Sequence, residues 1–410
     1  MAVPRPFGRD RGRLETAGPA DVALKREHRE TRGSGTKGLP VRIALLAHLH
    51  HPIAEPFAGG MEMHTHLVAD ELVRRGHDVT LFARENSSTS ARLEPILDDS
   101  FVYGAVRHSH SRDEVLDTAM RRALARIEDG GFDLVLNNSL SPLPYRDLAG
   151  HPMLTVLHTP PTLEKVNAVI EAPGWEPGPR HAFVAVSRFT AMAWRSLLPE
   201  VGVVPNGIDL DQWRAVAGQE RGLAVWSARI TPEKGLHLAI DAARAAGMHL
   251  EFTGIVGDPQ YFEDEIRPRT GPDVRYRGHL THEQLASQMS KAEVFLATPL
   301  WDEPFGLAMV EAMACGTPVA ALPNGACPEV VLPSGGAVAD KASVDGLAAA
   351  IDVARTMNRR KVRRHARRYD ARTMMNQYEA LMLELTGTSQ AVSAVESAVG
   401  AGPLPDALSA

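Results

Sequence analysis

The chain is poor in cysteine: Cys315 and Cys327 are the only two in 410 residues. So few thiols suit a reducing cytoplasm better than a disulfide-stapled secreted domain. No partner ligands share their spacing, so they form no metal or redox motif. Long apolar runs are missing too; nothing approaches the ~18 residues that a membrane-spanning helix needs. The N-terminus carries positive residues but lacks the apolar centre of a secretory signal. Asp10, Glu15, Asp21, Glu27 and Glu30 make it too acidic for an organelle transit peptide. Excess positive charge is also absent: 44 lysines and arginines stand against 50 aspartates and glutamates, a formal net charge of −6. That balance excludes a whole-molecule nucleic-acid binder. No internal repeat of fixed period is visible. What remains is the expectation of a cytoplasmic globular protein, 44% hydrophobic and 23% charged, long enough for two domains.

The composition predicts disordered tails at 1–39 and 387–410, polar or small-residue segments without a clear period. Between them the pattern predicts an N-terminal domain at 40–208, a C-terminal domain at 209–368 and a closing helix at 369–386. The first domain opens on an apolar strand, Val41–Ala47, followed by Gly59-Gly60 and a helix with Met61, Leu67, Val68 and Leu72 facing inward. Gly76 ends that helix, and Val79–Ala83 is the next strand. Further strands are expected at Leu134–Leu136, Met153–Leu157, Phe183–Val186 and Gly202–Val204. Turn chemistry at Pro205-Asn206-Gly207-Ile208-Asp209 marks the boundary. The second half repeats the style, with strands at Ala224–Ser227, His249–Thr253, Val294–Ala297 and Pro318–Leu322, and a helix at Leu236–Ala246. Thr281 and Gln284 form a candidate capping box. Alternation of this kind predicts an α/β protein with two doubly wound, Rossmann-like domains facing across a cleft.

The segment between Trp301 and Pro318, W-D-E-P-F-G-L-A-M-V-E-A-M-A-C-G-T-P, carries the strongest chemical signal. Leu307–Ala314 reads as a buried helix, ended by Gly316 and Pro318, yet Glu311 sits inside it and Glu303 just before it. A carboxylate among Met309, Val310 and Met313 costs several kcal/mol unless something donates hydrogen bonds to it. The donors are either the fold's own groups or hydroxyls of a bound sugar. The two glutamates are eight apart, and the free N–H groups of Phe305 to Ala308 lie between them, a seat for phosphate. Hydroxyl-binding carboxylates flanking an anion site describe a nucleotide-sugar pocket.

Other motifs are weaker. Gly59-Gly60 is either a tight turn needing positive φ or an approach of two unhindered N–H groups to an anion. It is not a G-x-G-x-x-G fingerprint. Arg229 and Lys234, in S-A-R-I-T-P-E-K-G, form an ordinary exposed pair on that fragment alone. With the Glu303–Glu311 element in the same domain, a diphosphate clamp becomes the better account. His158, in V-L-H-T-P-P, follows a buried strand where active-site loops lie, although a lone histidine is more often structural. His48, His50, His51, His64 and His66 match no H-x-x-x-H helix pair and predict no metal site. The basic run Arg359–Arg368 reads first as a solvated helix face, with weak peripheral contact to an anionic membrane surface, or contact with an anionic acceptor, as the alternative.

Taken together, these residues resemble the retaining glycosyltransferases of glycosyltransferase family 4, which have the two-Rossmann-domain GT-B fold. The likeness runs from about Val41 to Leu385. Its most specific part is E-P-F-G-L-A-M-V-E-A-M-A-C-G-T-P-V, and A-G-G-M, A-V-S-R-F, V-P-N-G-I-D, S-A-R-I-T-P-E-K-G and G-A-C-P-E-V-V support it. The family usually has a second glycine or an apolar residue where Ala326 and Cys327 stand. The resemblance implies that Glu311 holds the nucleotide ribose and Glu303 a hydroxyl of the donor sugar. It implies that Arg229 and Lys234 neutralise the diphosphate with the backbone at Gly60 and Phe305–Leu307, and that His158 meets the sugar near the reacting carbon. Gly59, Asn206, Pro304 and Gly306 complete the implied donor site. The helix Tyr369–Leu385 resembles the family's helix that crosses back to the first domain.

The resulting expectation is a metal-independent, retaining hexosyltransferase that needs no cofactor and uses a nucleotide-diphosphate sugar, UDP-glucose being the first to test. The acceptor, whether small molecule, glycan or lipid-linked, is unassigned. It is expected to meet first-domain loops around His48–Phe57, Asn86–Phe101 and Thr162–Pro179. A UDP-sugar 2-epimerase on the same fold is the rival from another class, and a non-catalytic sugar-nucleotide binder is the third reading.

Overall fold

The computed structural model describes residues 40–100, 109–214 and 218–387. The tails expected at 1–39 and 387–410 lie outside these residues, apart from Gly387. The first half forms a seven-stranded sheet in the order β3-β2-β1-β4-β5-β6-β7. Its strands are β1 (Arg42–Ala47), β2 (Asp78–Arg84), β3 (Arg92–Leu97), β4 (Leu134–Asn138), β5 (Met153–Leu157), β6 (His181–Ala185) and β7 (Gly202–Val203). Every pairing is parallel. β4 and β5 are buried at every position, as strands covered on both faces must be.

The second half forms a six-stranded sheet, β10-β9-β8-β11-β12-β13. It consists of β8 (Leu223–Ser227), β9 (His249–Thr253), β10 (Val274–Tyr276), β11 (Val294–Ala297), β12 (Val319–Ala321) and β13 (Gly336–Val338), again all parallel. In each sheet the chain order reverses beside the first strand, between β1 and β4 and between β8 and β11. Such switch points open crevices at the carboxyl ends of the strands.

Local signals explain much of this. Thr281 caps its helix through both arms of the capping box, with Gln284. Gly76 ends the Gly60–Arg75 helix in the left-handed region at φ 97°. Three strands lie outside the sequence expectations: β3, β10 and β13. All three are sheet edges, half-solvated and therefore without the continuous apolar run that marks the central strands. β3 reads R-L-E-P-I-L, with Pro95 tolerated because the strand is an edge. It corrects the loop expected across Asn86–Phe101, of which Phe101 lies outside the described residues. The loop expected at Thr162–Pro179 likewise contains a short helix, Glu164–Ile170.

The inward face of the Gly60–Arg75 helix also differs from expectation. Met61 and Leu67 are only half-buried, whereas Glu62, His64 and Thr65 join Val68 and Leu72 in burial. Glu62 faces His48 and Thr65 accepts from Asn138, while His64 is covered by a partner from the chain's other end: the Ala371–Leu385 helix packs on the first domain. Tyr378 Oη lies 3.2 Å from His64 Nε2, and Glu379 meets His77 Nε2 at 3.3 Å and the Arg75 guanidinium. The strap is anchored at Gly207 and Ile208. Ile208 donates its N–H to the Tyr369 carbonyl (2.9 Å) and accepts from Ala371 (2.9 Å).

The basic run divides on the Arg359–Ala366 helix. Arg359 is structural, donating to the carbonyls of Ala292 (2.6 Å) and Ser290 (2.7 Å). Val362, His365 and Ala366 are buried, so only the intervening arginines and Lys361 form the solvated face. Among the described residues no helix is long and apolar enough to cross a membrane.

A Cβ placed on Gly207 would lie 2.6 Å from Ala371 Cα and 2.9 Å from its amide nitrogen. Gly207→Ala should therefore loosen the crossing helix and cost about 1–3 kcal/mol, the usual penalty for overpacking. A lower melting temperature with faster proteolysis inside residues 371–385 is the expected result; an unchanged melt would show that the strap yields freely.

Candidate active site

The carboxyl ends of both sheets open on one cavity of about 410 Å³. β1 delivers His48–His51 to it, β5 delivers His158, β8 delivers Arg229, and β11 delivers the Trp301–Gly306 loop. All twelve expected site residues line it: Gly59, Gly60, His158, Asn206, Arg229, Lys234, Glu303, Pro304, Phe305, Gly306, Leu307 and Glu311.

The Glu303–Glu311 element is built as its sequence demands. Gly306 stands at φ 86°, before the Leu307–Ala314 helix, where a Cβ would collide with Met309 Cε at 2.2 Å. Among the described residues the amides of Phe305, Gly306, Leu307 and Ala308 find no backbone acceptor, so the helix start presents four free N–H groups. Gly60 lies directly opposite: a Cβ there would sit 2.9 Å from Leu307 Cδ1. Two helix N-termini thus converge on one space, each with the partial positive charge of its dipole. Gly59 is extended, at φ −172°, and Gly60 is not in the positive-φ region. The tight-turn account of the glycine pair therefore falls, and closeness to Leu307 explains Gly60.

Glu311 is 6% exposed, and no side chain among the described residues donates to it. Burial pushes its carboxyl up to about 8. Glu303 is served by the protein itself. Its Oε2 accepts from Lys234 Nζ at 2.6 Å and from Trp301 Nε1 at 3.0 Å, and the ammonium also lies 4.7 Å from the centre of the Trp301 ring. The sequence placed Lys234 and Glu303 in one site but not in contact. Arg229 is exposed at the cavity wall, close enough to His48, His50 and His51 to disfavour their protonation.

On the opposite wall His158 is buried with Nε2 unpartnered, and Asn206 is buried with Oδ1 unpartnered. Burial, with His64 and His48 nearby, holds the His158 ring well below its ordinary value and therefore neutral at pH 7. Its ring meets that of His64 edge-on at 4.7 Å.

Sequence reasoning missed Glu62. It is 5% exposed in the first turn of its helix, with Oε1 3.4 Å from His48 Nε2. Burial raises its carboxyl pKa, opposed by its own backbone amide and by the charges of His51 and Arg229. The signal was present: like Glu311, it is an acid on the inward face of a helix. Among the described residues no three histidine, cysteine, aspartate or glutamate side chains are grouped to hold a metal ion. His66 leaves the site and pairs with Asp70 at 3.3 Å.

The supporting motifs prove to be bracing. In G-A-C-P-E-V-V, Gly325 at φ 60° packs so closely on Glu303 that a Cβ would lie 2.2 Å from the Glu303 nitrogen. Ala326 N–H donates to the Glu303 carbonyl at 2.7 Å. Glu329 reaches the first domain, accepting from the amides of Arg188 (3.0 Å) and Phe189 (3.1 Å) of A-V-S-R-F. Thr190 completes the junction by donating to the Pro304 carbonyl at 3.2 Å. Cys327 lines the cleft as a buried free thiol whose pKa burial raises.

Two facing doubly wound sheets with a cavity between their switch points define the GT-B fold. Residues 58–212 match the family model described as Glycosyltransferase Family 4, and residues 209–373 match that described as Glycosyl transferases group 1. The chain belongs to this glycosyltransferase family. The D-inositol 3-phosphate glycosyltransferase of Mycolicibacterium smegmatis is 27% identical over 343 residues, spanning 71% of this chain and 78% of that protein. The glycogen synthase of Mycobacterium tuberculosis is 28% identical over 359 residues, spanning 76% and 85%. Sucrose-phosphate synthase from Thermosynechococcus elongatus superposes with a TM-score of 0.72 at 20% identity, over 85% of this chain and 100% of that one. The Anabaena HepE protein, solved with UDP-glucose, superposes at 0.63 with 17% identity, over 85% and 100%. These two structures share the fold.

The Glu311 carboxyl gives the apo protein a pH signature. An acid whose pKa rises from 4.5 to about 8 on folding holds its proton more tightly when folded. Its favourable contribution is full below about 4.5 and is lost as pH rises toward 8. Glu311→Gln should therefore flatten the melting temperature against pH across that window. An unchanged slope would show the carboxyl ionised throughout.

Proposed function

We propose that the protein transfers a hexose from a nucleotide-diphosphate sugar, with UDP-glucose the leading donor, to an acceptor hydroxyl, retaining the anomeric configuration and using no metal ion. The observation that carries this reading is Glu311, a buried carboxyl without a side-chain donor of its own, beside four free amides and the Lys234–Glu303 pair. Ribose hydroxyls supply the donors that Glu311 lacks. The amides at Phe305–Leu307 and Gly60, with Arg229 and Lys234, answer the diphosphate charge. Glu303 takes a hydroxyl of the donor sugar, and neutral His158 meets the sugar near the reacting carbon. Gly59, Asn206, Pro304 and Gly306 line the same donor site.

In the reaction the bond from the anomeric carbon to the diphosphate oxygen breaks, and the bond to the acceptor oxygen forms on the same face. The acceptor's proton passes to the departing diphosphate. Fixed cations and helix N-termini stabilise the charge that develops on that leaving group. Among the relatives, one is named for an inositol phosphate and another for glycogen, so likeness does not transfer an acceptor to this chain. The family match favours transfer over epimerisation, and incubation with UDP-glucose alone tests this, since only an epimerase forms a new sugar nucleotide.

Binding separates the two glutamates. UDP should raise the melting temperature of the wild type more than GDP or ADP does. Glu311→Ala should lose the UDP effect, whereas Glu303→Ala should keep it and lose the additional effect of UDP-glucose. Equal loss of UDP binding in both variants would overturn this division of roles.

Chelation addresses the absence of a metal. Initial rates at saturating donor should be the same in excess EDTA as in magnesium, because cations and amides of the protein already face the diphosphate. Complete loss in EDTA with recovery on adding Mg²⁺ or Mn²⁺ would return His48, His50 and His51 to consideration as ligands.

A further inference from the structure

A second cavity, of about 350 Å³, adjoins the donor cleft on the first-domain side and shares His48, His50 and Leu140 with it. Its wall combines the turn after β1, the Ser109–Gly130 helix, the loop after β4 and the start of the Glu164–Ile170 helix. Among the described residues that line it, carboxylates predominate. Asp113, Asp117 and Glu164 face a single lining cation, Lys165, and that ammonium is already held by Asp113 at 2.9 Å. Three cations stand near the His50 edge without lining the cavity. Arg112 and Arg229 lie near the His50 ring, and Arg84 donates to the His50 carbonyl and pairs with Asp99 at 3.5 Å. Among the described lining residues themselves, three carboxylates stand against one cation.

The remaining polar groups suit hydroxyls. Ser139 Oγ donates to Asn137 Oδ1, and Ser141 Oγ accepts from the Leu143 amide, leaving lone pairs or a hydrogen toward the cavity. An independent observation comes from His48, which is 4% exposed on the wall common to both cavities. Its Nδ1 accepts the His50 amide at 3.4 Å, so Nε2 carries the hydrogen. That buried Nε2 has no hydrogen-bond partner, although Glu62 Oε1 stands 3.4 Å away. Burial lowers the His48 pKa to about 3, so the ring is a neutral donor. Such a donor fits an uncharged oxygen, and the carboxylates around it fit hydroxyl or ammonium hydrogens.

We propose that this cavity is the acceptor subsite, and that it takes a polyhydroxyl acceptor free of anionic groups, neutral or amino-bearing, while rejecting its phosphorylated or carboxylated counterparts. The inference rests on the transferase reading above and adds the acceptor's charge class. Selection works by repulsion: an incoming phosphate meets Asp117 and Glu164, which form no ion pair among the described residues, whereas hydroxyls and ammonium groups find acceptors.

The test is a ligand-observed NMR titration of the wild-type protein, with and without UDP, against matched sets at equal ionic strength. The sets are glucose, glucosamine and glucose 6-phosphate, and myo-inositol with its monophosphate. At least one unphosphorylated member should bind at least about tenfold more tightly than its phosphate. Asp117→Asn with Glu164→Gln, shown folded by its melting curve, should narrow that gap. A phosphate that binds as well as its parent overturns the proposal, and so does a panel in which nothing binds. UDP-glucose binding, measured separately on the same wild-type sample, reports on the donor reading. Its failure alongside selective polyol binding would sink the donor assignment and leave the charge class of the cavity standing.

Discussion

The Glu329 carboxylate, reaching from the second domain to the amides of Arg188 and Phe189 in the first, is the contact on which the site depends. It caps a helix start across the cleft, a charge-assisted arrangement stronger than an ordinary neutral hydrogen bond. Glu329 follows the Gly325–Ala326 turn that grips the backbone of Glu303, and Thr190 of the capped helix holds the Pro304 carbonyl. One junction therefore sets both the position of the Trp301–Gly306 loop and the spacing between the domains. Within that spacing Gly60 approaches Leu307 closely enough that no side chain larger than hydrogen fits without a shift.

The cleft distributes its charges by neighbourhood. Glu303 and Lys234 satisfy one another and remain partly open to solvent. Glu311 and Glu62 are buried with little help, which is costly unless a ligand donates to them. His48, His64 and His158 are buried and neutral, so they act as hydrogen-bonding groups rather than as cations. The main cavity sets Arg229, Lys234 and two helix ends beside Glu62, Glu303 and Glu311, while the adjoining first-domain cavity sets Asp113, Asp117 and Glu164 beside Lys165.

Much of this was legible in the sequence because the central strands and the Glu303–Glu311 element are locally determined. β1, β5 and β11 are short apolar runs between breakers, and Gly306, Gly316 and Pro318 bound a buried helix around an acid. What escaped were features owed to distant partners. β3, β10 and β13 are edges whose sequences alternate or shorten. His64 is covered by Tyr378, from the other end of the chain, and Glu62 by His48, from the turn after β1. Arg359 looked like one of many surface cations, yet it is the one that ties its helix to the carbonyls of Ser290 and Ala292. Lys234 meeting Glu303 is a contact over 69 positions, and no local pattern encodes it.

The crossing Ala371–Leu385 helix has a consequence for how the protein is made. The first sheet is complete in the nascent chain long before that helix emerges from the ribosome, since the whole second sheet lies between them in sequence. Until then the His64 face of the first domain has no cover, and its buried polar groups are open to water. The first half must wait in an unsealed form through synthesis of the second. It is in that interval, rather than in the finished enzyme, that the chain is most exposed to chaperones and to misassembly.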